Sequence, residues 1–204
     1  EAGCIVWKDA VAWNYGRRLA DHDVEADYAR EVDYVSAASL LVEKSFFSQL
    51  GGFDPAYRPA YYEDTDLAFR TRKAGRRVLY QPASRVIHFE GVSSPRNAEN
   101  PMKKSQLTNR EVFRKRWTKE ISQSRPEGEE LALEKDRYAP RNALFFDVGL
   151  PLRTRDARSI RLVEMMKIVR DEGYRVTFLP ENLHGQEPFR TELGAHGISV
   201  VTGH

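Results

Sequence analysis

The segment Pro59–Gly75 reads PAYYEDTDLAFRTRKAG and sets three acids, Glu63, Asp64 and Asp66, in four consecutive positions. Two tyrosines, Tyr61 and Tyr62, precede them. Carboxylates so placed have three possible uses. Acids in a first helical turn meet the positive end of the helix dipole, worth about 0.3–1 kcal/mol each. A carboxylate held rigidly at a cleft can take a proton from an attacking hydroxyl. Asp64-Thr65-Asp66 is also a D-x-D that could ligate a cation, as is Asp21-His22-Asp23, although neither follows an apolar strand that would present it. Asp66 and Arg70 stand at i and i+4, the spacing of a helical ion pair.

The elements that must position these groups follow from periodicity. Leu67, Ala68, Thr71 and Ala74 share one side at helical spacing, and Gly75 sits where a C-terminal cap belongs. Upstream, Cys4–Lys8 predicts a short strand, residues 14–31 read as charged and irregular, and Val32–Val42 leans towards strand. Lys44–Leu50 predicts a short helix stopped by Gly51-Gly52. Downstream, Arg77–Gln81 and Arg85–Phe89 predict strands, and residues 91–101 predict a loop. A basic amphipathic helix is expected over 102–121, with Leu107, Val112, Phe113, Trp117 and Ile121 as its buried positions. Residues 122–140 are polar, with Pro126, Gly128 and Pro140, and predict a linker. The pattern then changes. Asn142–Val148 is a continuous apolar run of the kind buried in a parallel sheet. A helix over 156–172, a strand over 175–179, a helix over 187–195 and a strand over 198–201 complete a β-α-β-α-β order, which implies a doubly wound sheet.

The composition bounds the function. The 204 residues are 41% hydrophobic, 30% charged and 11% aromatic, with a net charge of +2. That is globular, and it carries no electrostatic footprint for nucleic acid. The single cysteine, Cys4, excludes an internal disulfide and fits a reducing compartment. No apolar run approaches the roughly 20 residues of a membrane helix. The chain opens on Glu1 and stops at His204, so a piece of a longer protein is expected.

Five stretches in one order carry a resemblance: Val32-Asp-Tyr-Val-Ser-Ala-Ala-Ser-Leu-Leu-Val42, Phe47-x-x-Leu-Gly-Gly-Phe-Asp54, Tyr61-Tyr-Glu-Asp-Thr-Asp-Leu-x-x-Arg70, Ala74-Gly-x-Arg-Val-Leu-Tyr-x-Pro82 and Val86-Ile-His88. Together they resemble the C-terminal half of a family-two glycosyltransferase domain of GT-A fold, over about residues 1–95. The family often has Ser-Gly-Ala where this chain has Ser36-Ala37-Ala38. The resemblance implies inverting transfer of a sugar from a nucleotide-diphospho-sugar donor to a saccharide or lipid-linked acceptor. It gives Asp64 the role of base, with Glu63 supporting it or contacting the acceptor. It puts Tyr62 and Gly52 on the acceptor side, while Gly51-Gly52 also reads as a plain helix stop. It implies a divalent cation, Mn or Mg, in the complete protein. His88 would be a ligand of that ion or, as a strand histidine, a packed residue. The family's nucleotide-binding half would lie upstream.

The second unit resembles the opening of a family-four GT-B glycosyltransferase, on Asn142–Pro151, Arg155–Arg161 and Glu172–Asn182. Its first loop would hold Pro151, Arg153, Arg155, Asp156 and Ser159, with Asp156 reading equally as a helix cap. The expected fold class is therefore α/β. The GT-A part spans 1–121, the linker 122–140, and the opening of a Rossmann-like GT-B domain 141–204. A cytoplasmic place, at or away from the inner membrane face, is expected for such a bacterial, multi-domain polysaccharide enzyme. A non-catalytic saccharide-binding or scaffold module retaining the GT-A fold is the alternative. Two other readings are weaker. A dehalogenase-type Phe145-Phe-Asp147 would need a second Asp where Gly149 stands. The cations of 103–119 alternate with apolar positions, which favours a solvated helix face over a nucleic-acid or membrane surface.

Overall fold

The structure, a computed structural model, describes residues 1–17, 19, 23–87, 101–151, 156–185 and 187–203. The described chain is a mixed α/β structure with two apolar clusters. In the first, β1 (Cys4–Val6) pairs antiparallel with β2 (Ala12–Asn14), and β3 (Arg30–Glu31) pairs antiparallel with β4 (Leu79–Tyr80). A bridge between Cys4 and Tyr34 ties these strands together. Helix α1 (Lys44–Gln49) ends at the Gly51-Gly52 turn, as its glycines predict. Helix α2 (Glu63–Lys73) has three acids in its first turn and Arg70, Arg72 and Lys73 in its last, both matching the helix dipole. Residues 85–87 form no strand, and Phe89 lies outside the described residues.

The expected helix over 102–121 is two helices, α3 (Pro101–Arg116) and α4 (Thr118–Ile121), divided at Trp117. Phe113, Trp117 and Ile121 are buried as expected. Leu107 is 66% exposed, because the face that packs runs through Asn109, Phe113 and Trp117 at intervals of four. Phe113 stacks between Tyr62 and Phe69, which fixes α3 against α2.

Asp66 locks this unit. It is fully buried, and its carboxylate accepts from the Trp117 indole N–H (2.8 Å), the Tyr57 hydroxyl (3.1 Å) and Arg70 Nε (2.6 Å). The Arg116 guanidinium stands 3.3 Å away. Arg70 in turn donates to the carbonyls of Leu50 and Gly52. One acid thus joins the α1 turn, the 55–57 turn, α2 and the α3–α4 junction.

The second cluster sits on a parallel sheet of β5 (Arg141–Asp147), β6 (Tyr174–Pro180) and β7 (Ile198–Val200), in the order β5-β6-β7. Helices α6 (Ala157–Asp171) and α7 (Phe189–Ala195) connect the strands. Val163 and Met166 of α6 pack on Val176, Phe178 and Ile198. The β-α-β-α-β order read from periodicity is present. On β5, Leu144 and Phe146 face outwards and are about two-thirds exposed, so that strand is covered on one side alone.

Residues 122–140 are polar, yet they carry α5 (Leu131–Glu134) and bury Glu134, Lys135 and Asp136. Lys135 Nζ contacts Glu25 and Asp136, both at 2.8 Å, and the Tyr28 hydroxyl at 2.7 Å. Arg175 of β6 reaches Glu25 and Asp136 at 3.3 Å each. The Ala29 amide donates to the Gly194 carbonyl, and a side chain at Gly194 would overlap the Asp27 carbonyl.

Truncating one partner of a buried ionic cluster costs about 3–5 kcal/mol, because the remaining charges lose their counter-ion. Asp66→Ala is expected to lower the free energy of unfolding by that amount in urea titration. A loss under 1 kcal/mol would show that the hub is not what joins α2 to α3.

Candidate active site at the start of helix α2

The chain reaches α2 through two left-handed residues, Tyr61 (φ 76°) and Tyr62 (φ 73°). Non-glycine residues in this region cost on the order of 1–3 kcal/mol each and persist only where the surroundings over-determine them. The surroundings here are specific. The Tyr62 ring is buried beside Phe113, and its hydroxyl donates to the Ala10 carbonyl at 2.8 Å. The Asn109 amide of α3 donates to the carbonyls of Tyr57 (2.7 Å), Ala60 (2.9 Å) and Tyr61 (3.0 Å). Tyr61 is left exposed and Tyr62 is drawn into the core.

The two predicted catalytic acids follow at once and differ in environment. Asp64 Oδ2 accepts from the Ala37 amide at 3.1 Å, and Oδ1 from the Thr65 amide at 2.7 Å. Asp64 therefore bridges α2 to the short turn over Ala37–Ser39, whose start is held by the Ser36 hydroxyl. It lies on the wall of a cavity of about 210 Å³ lined also by Phe46, Leu67, Thr71, Arg76 and Val78. Glu63 is half-buried, and its Oε2 is shielded from solvent without a hydrogen-bond partner. Burial pushes the Glu63 carboxyl above its usual range, and the neighbouring Asp64 charge adds to the shift.

The other predicted positions fall as follows. Gly52 adopts φ 71°, and its carbonyl accepts from Arg70 at 2.8 Å, so it is tied to Asp66 through one guanidinium. Tyr62 is next to the acids in sequence but lies in the core. His88, Asp21 and His22 lie outside the described residues. Among the described residues no group of three or more His, Cys, Asp or Glu side chains converges as a metal site. In the second unit Asp156 caps α6 by accepting from the Ser159 amide at 2.7 Å, and Arg158 pairs with Asp147. Pro151 is buried, and Arg153 and Arg155 lie outside the described residues.

Sequence reasoning missed Asn109. The available signal was its spacing, four and eight residues before Phe113 and Trp117, which puts a polar side chain on the buried stripe of α3. A buried amide on such a stripe must find acceptors.

The Glu63 shift has a measurable sign. A carboxyl raised in the folded state favours folding while protonated. That contribution is complete below the unfolded value, ordinarily 4.5, and is lost as pH rises through the folded one. Glu63→Gln, which stays neutral, is expected to melt higher than wild type at about pH 7 and to match it at about pH 3.5. A Gln variant that melts lower than wild type at neutral pH would contradict the environment described.

A stretch of 68 residues is 43% identical to N-acetylglucosaminyl-diphospho-decaprenol L-rhamnosyltransferase of Mycobacterium tuberculosis, covering 33% of this chain and 22% of that protein. Another comparison, over 58 residues, is 41% identical to rhamnosyltransferase WbbL of Escherichia coli K12, covering 28% of this chain and 22% of that protein. The uncharacterized protein y4gI of Sinorhizobium fredii is 27% identical over 106 residues, covering 51% of this chain and 11% of its own length. The matched stretches thus span about a fifth of the two rhamnosyltransferases. No family model matches the chain, and no solved structure matches it. The chain is similar over about a third of its length to rhamnosyltransferases, and that similarity supports a glycosyltransferase.

Proposed function

We propose that the full-length protein is an inverting glycosyltransferase that moves a sugar from a nucleotide-diphospho-sugar donor to a hydroxyl of a saccharide or lipid-linked acceptor. The observation that carries this reading is Asp64, a carboxylate held by the Ala37 and Thr65 amides on a cavity wall. The similarity to two rhamnosyltransferases supports it, and rhamnose is the sugar proposed. The name of the mycobacterial relative supports an acceptor saccharide on a polyprenyl diphosphate.

The chemistry follows from the two acids. As the acceptor oxygen attacks the anomeric carbon, Asp64 takes the hydroxyl proton. The bond to the diphosphate breaks on the opposite side, and its electron pair leaves with the phosphate oxygen. The two amide donors fix the carboxylate and leave lone pairs on both oxygens for that proton. Burial, with the Asp64 charge beside it, pushes the Glu63 carboxyl above its usual range, and Glu63 takes no proton in this scheme.

The described residues do not form the expected divalent-cation site. No step above depends on one. His88 stays a candidate ligand by resemblance alone. In the same reading residues 1–121 are the C-terminal part of a GT-A domain, 122–140 connect it, and 141–204 open a GT-B domain. The separate apolar clusters and the parallel β5-β6-β7 order support that division. Action is proposed at the inner face of a membrane that holds the acceptor. Among the described residues no helix is long and apolar enough to cross one.

The test uses full-length protein, nucleotide-activated rhamnose, Mn or Mg, and a polyprenyl-diphosphate-linked saccharide, with the GT-B unit inactivated throughout. Removing a general base lowers the rate roughly 100-fold to 10,000-fold. Asp64→Asn is expected to lose transfer on that scale with folding and donor binding intact. Equal rates would return the acids to helix stabilisation and favour a saccharide-binding module.

A further inference from the structure

The proposed transferase leaves one group unused. Asn109 is 3% exposed, and its amide nitrogen faces three backbone carbonyls of the loop that enters α2. Only the NH₂ side of the amide can face three acceptors, so the arrangement also fixes the orientation of the side chain. Its two hydrogens are shared among Tyr57, Ala60 and Tyr61. The platform that carries Asn109 is anchored independently. Arg110 donates to the Asp9 carboxylate at 2.7 Å and to the Asp9 carbonyl, and Phe113 and Trp117 are buried among Phe69 and Asp66.

On the strength of the transferase reading, we propose that Asn109 is a positioning residue for the acceptor side of the site. By gripping the Ala60 and Tyr61 carbonyls it holds two consecutive left-handed residues. Those two residues turn the Tyr61 ring outwards, send the Tyr62 ring inwards and set where Glu63 and Asp64 begin. Without the grip the loop relaxes towards ordinary backbone angles and the first turn of α2 moves with it. Displacing a reacting group by about 1 Å costs on the order of 100-fold in rate. The transferase reading puts this loop on the acceptor side, so the loss is expected on the acceptor.

Two arms test this. In the first, hydrogen exchange of amides 60–66 is compared between wild type and Asn109→Ala, with Asn109→Ser as a second variant that keeps one donor. Exchange is expected to quicken there and to stay unchanged in β6. In the second, the full-length enzyme is assayed. Asn109→Ala is expected to lower kcat/KM for the acceptor roughly 10-fold to 100-fold, with the donor KM unchanged. The loss should shrink in a Tyr61→Gly background, because glycine adopts φ 76° without strain and no longer needs the grip. An equal loss in both backgrounds would overturn the proposal, as would an acceptor kcat/KM within twofold of wild type, even if Asp64→Asn abolishes transfer. Full activity of Asp64→Asn would instead remove the transferase reading, and the Asn109 assignment with it.

Discussion

A carboxylate with no solvent exposure holds the first unit together. Asp66 lies in the first turn of α2, and burying such a group costs several kcal/mol unless its oxygens are satisfied. The indole of Trp117, the hydroxyl of Tyr57 and the guanidinium of Arg70 satisfy them from three different segments. The Tyr57 hydroxyl is correspondingly hard to ionise, because burial raises it and the Asp66 charge raises it further. The location of the site is a consequence of this hub. With α2 pinned at its first turn, the two residues ahead of Asp66 that carry the proposed chemistry have little freedom left. Asp64 thus lies on the cavity wall while Asp66, two positions on, serves the core.

Much of this was legible in the sequence wherever the governing physics is local. The Asp66–Arg70 ion pair follows from i,i+4 spacing. The end of α1 at Gly51-Gly52 and the alternation of helix and strand after residue 141 follow from backbone freedom and apolar periodicity. The left-handed pair at 61 and 62 was not legible, because two tyrosines carry no signal for it. It exists because Asn109, some fifty positions away, supplies the donors. Tyr61 and Tyr62 read alike in one dimension, yet one is a surface residue and the other a core residue. The 122–140 segment was misleading for a related reason. Polarity predicts exposure only while charges have no partners, and Lys135 and Asp136 find theirs in segments 110 residues upstream and 39 downstream.

The candidate site shows the same division. The acid pair announces itself by composition. What distinguishes its members is environment: Asp64 is given two amide donors, whereas one oxygen of Glu63 is buried with none. The difference is made by the Ala37 and Thr65 amides that reach Asp64 rather than by the acids themselves.

The charge cluster at the junction has an evolutionary consequence. Glu25, Asp136 and Arg175 come from the first unit, the connecting segment and the second unit, and each neutralises charge on another. A charge reversal at any one of them takes a counter-ion from a largely buried charge, Lys135, Asp136 or Arg175. The three positions are therefore constrained to drift as a set, and a gene that exchanged its second unit for a foreign one would inherit a mismatched seam. Successful recombination at this boundary has to carry the seam along with the domain.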